Sequence, residues 1–379
     1  MRCKSLVLNH KTKQPQAVCD TVETLFELFK PNLSLNKARL RCFVILVLGV
    51  IEQRTVSLVW LAQNSASVTK SLSVYRRFQR FFALCALPPK SVGALILALA
   101  PKPKDGWILA MDRTNWQFGK TDINILVVTV ILNGVGLPVC WQVLPKTTKR
   151  GNSHKAHRIR LMENVLTLLA PCEIRVLTMD REFVGKKWLS WLQLMGVRYV
   201  VRVKKNTLIG SLSASHLCAY GRWKKQAGQL HEVFGQQVYF AAKRIAKGRD
   251  PFLAVISYGF SGHEALELYR QRWGIETFFS HLKKRGFQFE DTHLTKKARI
   301  EKLLGVLAVS FALCYRWGQE QEKKQGVKLK THGHRAKSLF RQGFESLHRL
   351  LKSPARYAAE IAAFLQLVLR LPLLEKFVV

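Results

Sequence analysis

Apolar positions recur at three- and four-residue spacing through Thr21–Phe29 and Leu40–Leu61, so residues 20–100 are predicted to be helical. Within that stretch Lys70–Phe82 sets Arg76, Arg77 and Arg80 beside Phe78, Phe81 and Phe82, a basic face over an aromatic one. An ordinary solvated amphipathic helix and a DNA-contacting helix share this pattern. Pro88-Pro89 and then Pro101–Gly106 break the helical run. The period then changes. Trp107–Met111 is a short apolar run ending at Asp112. Ile123–Leu132 is β-branched and stops at Asn133-Gly134, a hairpin signal, and Leu137–Leu144 is the returning strand. A helical pattern covers 154–170, a strand Ile174–Met179 ends at Asp180, a helix runs from about Lys186 to Met195, and a strand follows at Arg198–Val203.

Three strands in a meander followed by helix-linked strands give a mixed α/β core. The pattern fits a ribonuclease-H-like arrangement and not a doubly wound parallel sheet, because a two-residue turn cannot link parallel strands. Residues 204–260 are richer in Gly, Ser and Gln. Short alternating runs at Glu232–Ala241 and Phe252–Ser257 predict a β-rich insertion there. Ser261-Gly-His-Glu264 has capping-box spacing, so a helix is predicted from there to about Lys284. The stretch 295–379 alternates apolar helical segments, Leu303–Trp317 and Tyr357–Leu371, with the basic polar stretch Gln319–Lys337. Three regions result: a helical DNA-binding domain at 1–100, a catalytic core at 105–290 interrupted at about 204–260, and a helical C-terminal region at 291–379.

Composition narrows the class. The chain has 379 residues, 48% hydrophobic and 10% aromatic, enough for a sizeable core and too much for a disordered chain. Lys and Arg total 61 against 24 Asp and Glu, a net charge of +37. The excess is spread along the chain, +10 over 1–100, +15 over 101–276 and +12 over 277–379, as expected of a protein lying on a long polyanion. A ribosomal-type scaffold fits the charge as well. The eight cysteines are never closer than 16 residues, which excludes zinc-ribbon spacing and reads as reduced thiols in a cytosol. No apolar run reaches the ~18–20 residues of a membrane span, and there is no phosphate-binding loop for ATP.

Candidate chemistry rests on carboxylates. Asp112 and Asp180 each close a hydrophobic strand. If those strands are parallel neighbours, the two side chains meet at one sheet edge, where oxygen ligands suit Mg²⁺ or Mn²⁺. Singly, Asp112 also reads as a turn residue and Asp180 as a helix cap. On the predicted helix after Ser261, Tyr269, Arg272, Glu276 and Lys283 fall within about 60° of one face. An exposed salt-bridge ladder gives the same stripe. His154 and His157 read as a helix start rather than a metal site, and Glu182, rather than a fourth acid, as facing away from Asp180 or pairing with Arg181.

The run Tyr269-x2-Arg272-x3-Glu276-x6-Lys283, with Met111-Asp112 and Met179-Asp180 upstream, resembles the Y-R-E-K signature of bacterial cut-and-paste DDE transposases, the insertion-sequence-four family. The resemblance covers about residues 105–290. It implies Asp112, Asp180 and Glu276 as the metal-binding catalytic triad, with two Mg²⁺ or Mn²⁺ ions per site. It implies Tyr269, Arg272 and Lys283 as contacts to DNA phosphates. The implied activity is binding of terminal inverted repeats, cleavage of the ends and their joining to target DNA. The implied partners are double-stranded transposon-end and target DNA and a second protomer in the DNA complex, with no membrane and a cytoplasmic, nucleoid-associated location. Where relatives form a hairpin intermediate, an aromatic such as Phe252 or Trp273 would stack on a flipped base; both also read as core residues. The alternatives are a structure-selective nuclease of the same fold and a non-catalytic DNA-binding regulator.

Overall fold

The computed structural model describes residues 13–65, 69–119, 121–145, 153–219, 221, 224, 228–245, 251–283, 285–327, 329–331 and 335–370. The chain divides into two compact units. One comprises 101–281 with 295–301, and the other 1–100, 282–294 and 302–379. The N- and C-terminal helical stretches, separate in the linear reading, thus belong to one unit.

The first unit is built on one eight-stranded sheet. Its strands are β1 (Trp107–Phe118), β2 (Thr121–Leu132), β3 (Val135–Val143), β4 (Ile174–Met179), β5 (Tyr199–Arg202), β8 (Leu230–Val233), β9 (Gln236–Arg244) and β10 (Phe252–Tyr258). The short pair β6 (Leu208–Ile209) and β7 (Leu212–Ser213) stands apart. The sheet order is β3-β2-β1-β4-β5-β10-β9-β8. β1, β2 and β3 form an antiparallel meander, whereas β4 runs parallel to β1 and β5 parallel to β4. This mixed sheet is the expected ribonuclease-H-like core. The insertion strands extend it, since β10 pairs with β5 and β9 pairs with β10.

The meander folds as its turn residues require. Asn133 (φ 51°) and Gly134 (φ 74°) take the left-handed conformations of a tight two-residue hairpin. β2 is buried from Ile123 to Leu132, so its continuous β-branched run belongs to a strand covered on both faces. β1 does not stop at Asp112. It continues through the alternating Arg113–Phe118, paired to β2 down to Phe118–Thr121. The edge strand β3 is closed by Glu301, whose carboxylate accepts the Val143 N–H at 2.9 Å while its backbone carbonyl accepts the Trp141 indole N–H at 3.1 Å. The predicted single run Glu232–Ala241 is in fact a hairpin, turned at Phe234 (φ 53°) and Gly235 (φ 70°).

The helices of this unit are α6 (Lys155–Leu166), α7 (Lys186–Leu194), α8 (Ala214–Ala219), α9 (Gly262–Arg270) and α10 (Trp273–Leu282, which belongs here to His281). The continuous helix predicted over 261–284 is two, broken at Gln271-Arg272, and the Ser261 side chain makes no capping bond. The break has a packing cause. Gly274 lies against Gly136 of β3 so closely that a Cβ on Gly274 would come within 2.9 Å of the Ile131 side chain and 3.3 Å of the Gly136 nitrogen. α10 is drawn onto the meander, while α9 packs Ala265, Leu266, Leu268 and Tyr269 on Val176, Val200, Ala241 and Val255.

The second unit is helical: α1 (Lys13–Phe29), α2 (Lys37–Gln53), α3 (Leu58–Gln63), α4 (Ser71–Leu84), α5 (Pro89–Leu99), α11 (Lys297–Gln325, from Lys302 on), α12 (Leu339–Lys352) and α13 (Ala358–Leu369). α4 buries Val74, Phe78, Phe81 and Phe82 and exposes Arg76, Arg77 and Arg80, the two faces its sequence predicts. Six described cysteines are free, five of them buried. No single described helix is long and apolar enough to cross a membrane.

Candidate active site

Asp112 and Asp180 are placed by sheet register. Met111 of β1 and Met179 of β4 are direct partners in the parallel pair, and each aspartate is the next residue. Asp112 therefore sits within a strand and Asp180 just past one, side by side. Each side chain is then fixed by a different neighbour. Asp112 Oδ1 accepts its neighbour Arg113's backbone N–H at 2.7 Å, and Oδ2 accepts Arg272 Nη1 at 2.9 Å. Asp180 Oδ1 accepts the Tyr269 hydroxyl at 3.3 Å. Tyr269 serves two layers at once, its ring being buried with the α9 core and its hydroxyl reaching the carboxylate.

Glu276 joins through Arg272. The guanidinium bridges the two acids, donating to Asp112 through Nη1 and to Glu276 through Nη2, and lies 5.6 Å over the Tyr269 ring. Its Nε is buried without a hydrogen-bond partner. Five of the six predicted site residues, Asp112, Asp180, Tyr269, Arg272 and Glu276, are thus linked in one network. They do not share one helical stripe: Tyr269 is on α9, Arg272 in the turn and Glu276 in the first turn of α10. Lys283, the first residue after α10, belongs to the other unit, where its ammonium pairs with Glu290 at 2.9 Å.

Burial dominates the electrostatics. It pushes the Asp112 carboxyl up to about 6, against the opposing pull of Arg272 and the Arg113 N–H and with help from Asp180 and Glu182. It also pushes Tyr269 up to about 12, so the phenol stays protonated as a donor. For Arg272 burial acts downward, yet Tyr269, Asp112, Glu276 and Asp180 together raise it above its ordinary value.

A supporting layer escaped the sequence reading. Arg113 forks onto the Glu182 carboxylate through Nε at 3.2 Å and Nη2 at 3.0 Å. Arg158, 5% exposed, donates to Ser153 Oγ at 2.9 Å and to the backbone carbonyls of Glu182 at 2.9 Å and Val184 at 3.4 Å. Its guanidinium lies 5.1 Å over the buried Phe183 ring. These two arginines pin the loop that carries Asp180. His154 caps α6, its ring Nδ1 accepting the Ala156 N–H at 3.4 Å, as a helix start. Trp273 is 66% exposed and so is no core residue.

The donor set is all oxygen, which suits a hard divalent cation. Among the described residues no three His, Cys, Asp or Glu side chains form a group able to hold a metal ion as they stand. The Arg272 guanidinium occupies an oxygen on each of Asp112 and Glu276. The residues fit the cation chemically, with the arginine as present occupant.

No curated protein matches the chain. Residues 103–313, more than half of the chain, match the family described as "Transposase DDE domain", a domain with a ribonuclease-H-like core. The span takes in both aspartates, the network around them and the sheet that sets their register, and the chain belongs to that transposase family.

Proposed function

We propose that Asp112, Asp180 and Glu276 are the catalytic carboxylates of this transposase, which cleaves DNA at terminal inverted repeats and joins the ends to target DNA. Membership of the DDE family makes the chain a transposase whose partner is DNA and whose class uses divalent metal ions. The observation that carries the assignment is the parallel register of β1 and β4, which sets two aspartates side by side within a hydrogen-bonded network that includes a third acid.

The three carboxylates would hold Mg²⁺ or Mn²⁺, two ions per site, which supply an activated oxygen nucleophile and a stabilised leaving oxygen. Each residue has a share in the work. Tyr269 fixes the orientation of Asp180 through its hydroxyl. Arg113 and Arg158 hold the loop behind Asp180. Tyr269, Arg272 and Lys283 position phosphates near the scissile bond, in keeping with a Y-R-E-K signature of the insertion-sequence-four type. Water is the nucleophile for cleavage and a DNA 3′-hydroxyl for joining. Residues 1–100 bind the terminal repeats, with Arg76, Arg77 and Arg80 of α4 facing the phosphates. The insertion strands contact the end, and the helices of 291–379 support pairing of two protomers. Trp273, exposed beside Arg272, is the aromatic available to stack on an unpaired base.

The test is incubation of the protein with end-containing duplex and Mg²⁺. Wild type nicks the ends and joins them to a second duplex. Asp112→Ala, Asp180→Ala and Glu276→Ala each retain end binding and lose cleavage by on the order of 10³-fold or more, as expected when a group required for a metal-assisted step is removed. Retained cutting by any of the three refutes the triad, and cutting without joining by wild type makes the protein a nuclease.

A further inference from the structure

We propose that Arg272 is the resting counter-ion of the carboxylate cluster and leaves it as a divalent cation enters, turning its guanidinium to a DNA phosphate. Cation and DNA would then bind cooperatively. The inference rests on the reading of Asp112, Asp180 and Glu276 as the cation site and adds an order of events to it.

Three observations support the exchange. Both Asp112 carboxylate oxygens already accept hydrogen bonds, one from the fixed backbone N–H of Arg113 and one from Arg272 Nη1. The Arg113 bond is local backbone and stays, whereas Arg272 is a side chain in a turn and can rotate away. Second, the same guanidinium holds Glu276, so a single movement uncovers two acids. Third, Arg272 is incompletely satisfied where it sits, because its Nε is buried without a partner. A phosphate bound through Nε and Nη2 makes as many charge-assisted hydrogen bonds as the two carboxylates do now and also gives Nε a partner.

Charge sets the direction. Three carboxylates and one guanidinium leave the cluster negative, which favours cation entry. Once a dication has entered, the guanidinium is repelled from the same oxygens. A nearby phosphate then becomes its best partner. By linkage the coupling is reciprocal: whatever factor the cation adds to DNA affinity, DNA adds to cation affinity. The design keeps the acids partly compensated when the protein is alone and frees its phosphate-binding fork only when the cluster is loaded.

The experiment is calorimetric titration of the DNA-free, full-length protein with Mn²⁺, for wild type, Arg272→Gln, Asp112→Asn and Glu276→Gln. Arg272→Gln binds Mn²⁺ roughly tenfold or more tightly than wild type, within the ~5- to 150-fold range of site–site coupling. Asp112→Asn and Glu276→Gln bind more weakly than wild type. With Ca²⁺ present, wild type tightens on duplex DNA and Arg272→Gln does not. In wild type itself, the reactivity of Arg272 toward phenylglyoxal, read by peptide mass spectrometry, rises on addition of Mn²⁺; this arm decides the matter if Arg272→Gln does not fold. An Arg272→Gln protein that binds Mn²⁺ no better than wild type, or Arg272 reactivity unmoved by Mn²⁺, overturns the exchange and leaves the cation site standing. Undiminished Mn²⁺ binding by both Asp112→Asn and Glu276→Gln removes the cation site itself.

Discussion

Arg158 and Arg272 flank the candidate site, and they are held in opposite ways. Arg158, at the start of α6, donates to neutral acceptors among the described residues: one hydroxyl and two backbone carbonyls. Burial outweighs the pull of Glu182 and lowers its pKa to about 10. Arg272, in the α9–α10 turn, donates to two carboxylates, and its pKa is raised. Carbonyls of a folded loop have no other partner to take, so Arg158 is a permanent staple. Carboxylates can exchange one cation for another, so Arg272 is a replaceable counter-ion. Burial of a charge alone does not reveal its job; the kind of acceptor does.

That contrast is open to a direct test. Arg158→Met strands the Glu182 and Val184 carbonyls and should lower unfolding stability by about 2–4 kcal/mol, with no recovery on adding Mn²⁺. Arg272→Gln leaves Asp112 and Glu276 uncompensated and should cost a similar amount, about 3 kcal/mol, in the absence of divalent ions. Mn²⁺ should restore it. Thermal melts of both variants with EDTA and with Mn²⁺ make the measurement, and equal rescue of both variants would erase the distinction.

A second test uses pH. The folded-state pKa of Asp112, about 6, lies above its ordinary value of 3.8. Its contribution to stability is therefore fully present below about pH 4 and is lost as pH rises through about 6, a change of roughly 2–3 kcal/mol. Denaturant titrations in EDTA from pH 4 to 7.5 should show wild type losing stability relative to Asp112→Asn across that window. Parallel curves would mean that the Arg272 pair offsets the burial of Asp112 after all.

The smallest effect concerns Lys283, the one predicted site residue in the other unit, where it is paired with Glu290. If it contacts a phosphate, Lys283→Ala should weaken end binding and make the salt dependence shallower by about one unit of slope. An unchanged slope places it off the DNA and leaves the Glu290 pair as its role.

Much of this arrangement is legible in the sequence, for definite reasons. Asn133-Gly134 announces its hairpin because few other dipeptides adopt both left-handed conformations. Asp112 and Asp180 are visible because each follows an apolar run. Their adjacency, however, needs the β1–β4 pairing, which no local pattern encodes. β1 looked short because Arg113, Asn115 and Gln117 alternate with less polar residues, as suits a strand extending past the core. The break at Gln271-Arg272 is hidden because the apolar spacing of Leu268 and Ile275 still suits one helix, and its cause lies far off in the chain at Gly136. Arg158 gave no signal, since a buried staple to carbonyls looks like any helix arginine. The family pattern marks Arg272 as a phosphate contact, and its grip on Asp112 and Glu276 emerges only from the fold.

In the DNA complex Asp112, Asp180 and Glu276 are expected to gather around shared cations. Replacing Mg²⁺ by Fe²⁺ in the DNA complex and adding hydrogen peroxide with ascorbate generates hydroxyl radicals at the cation, and the sites of peptide scission can be mapped by mass spectrometry. Cuts should cluster next to residues 112, 180 and 276, all suppressed together by excess Mg²⁺. Scission confined to one of the three, or located elsewhere in the chain, would contradict that gathering.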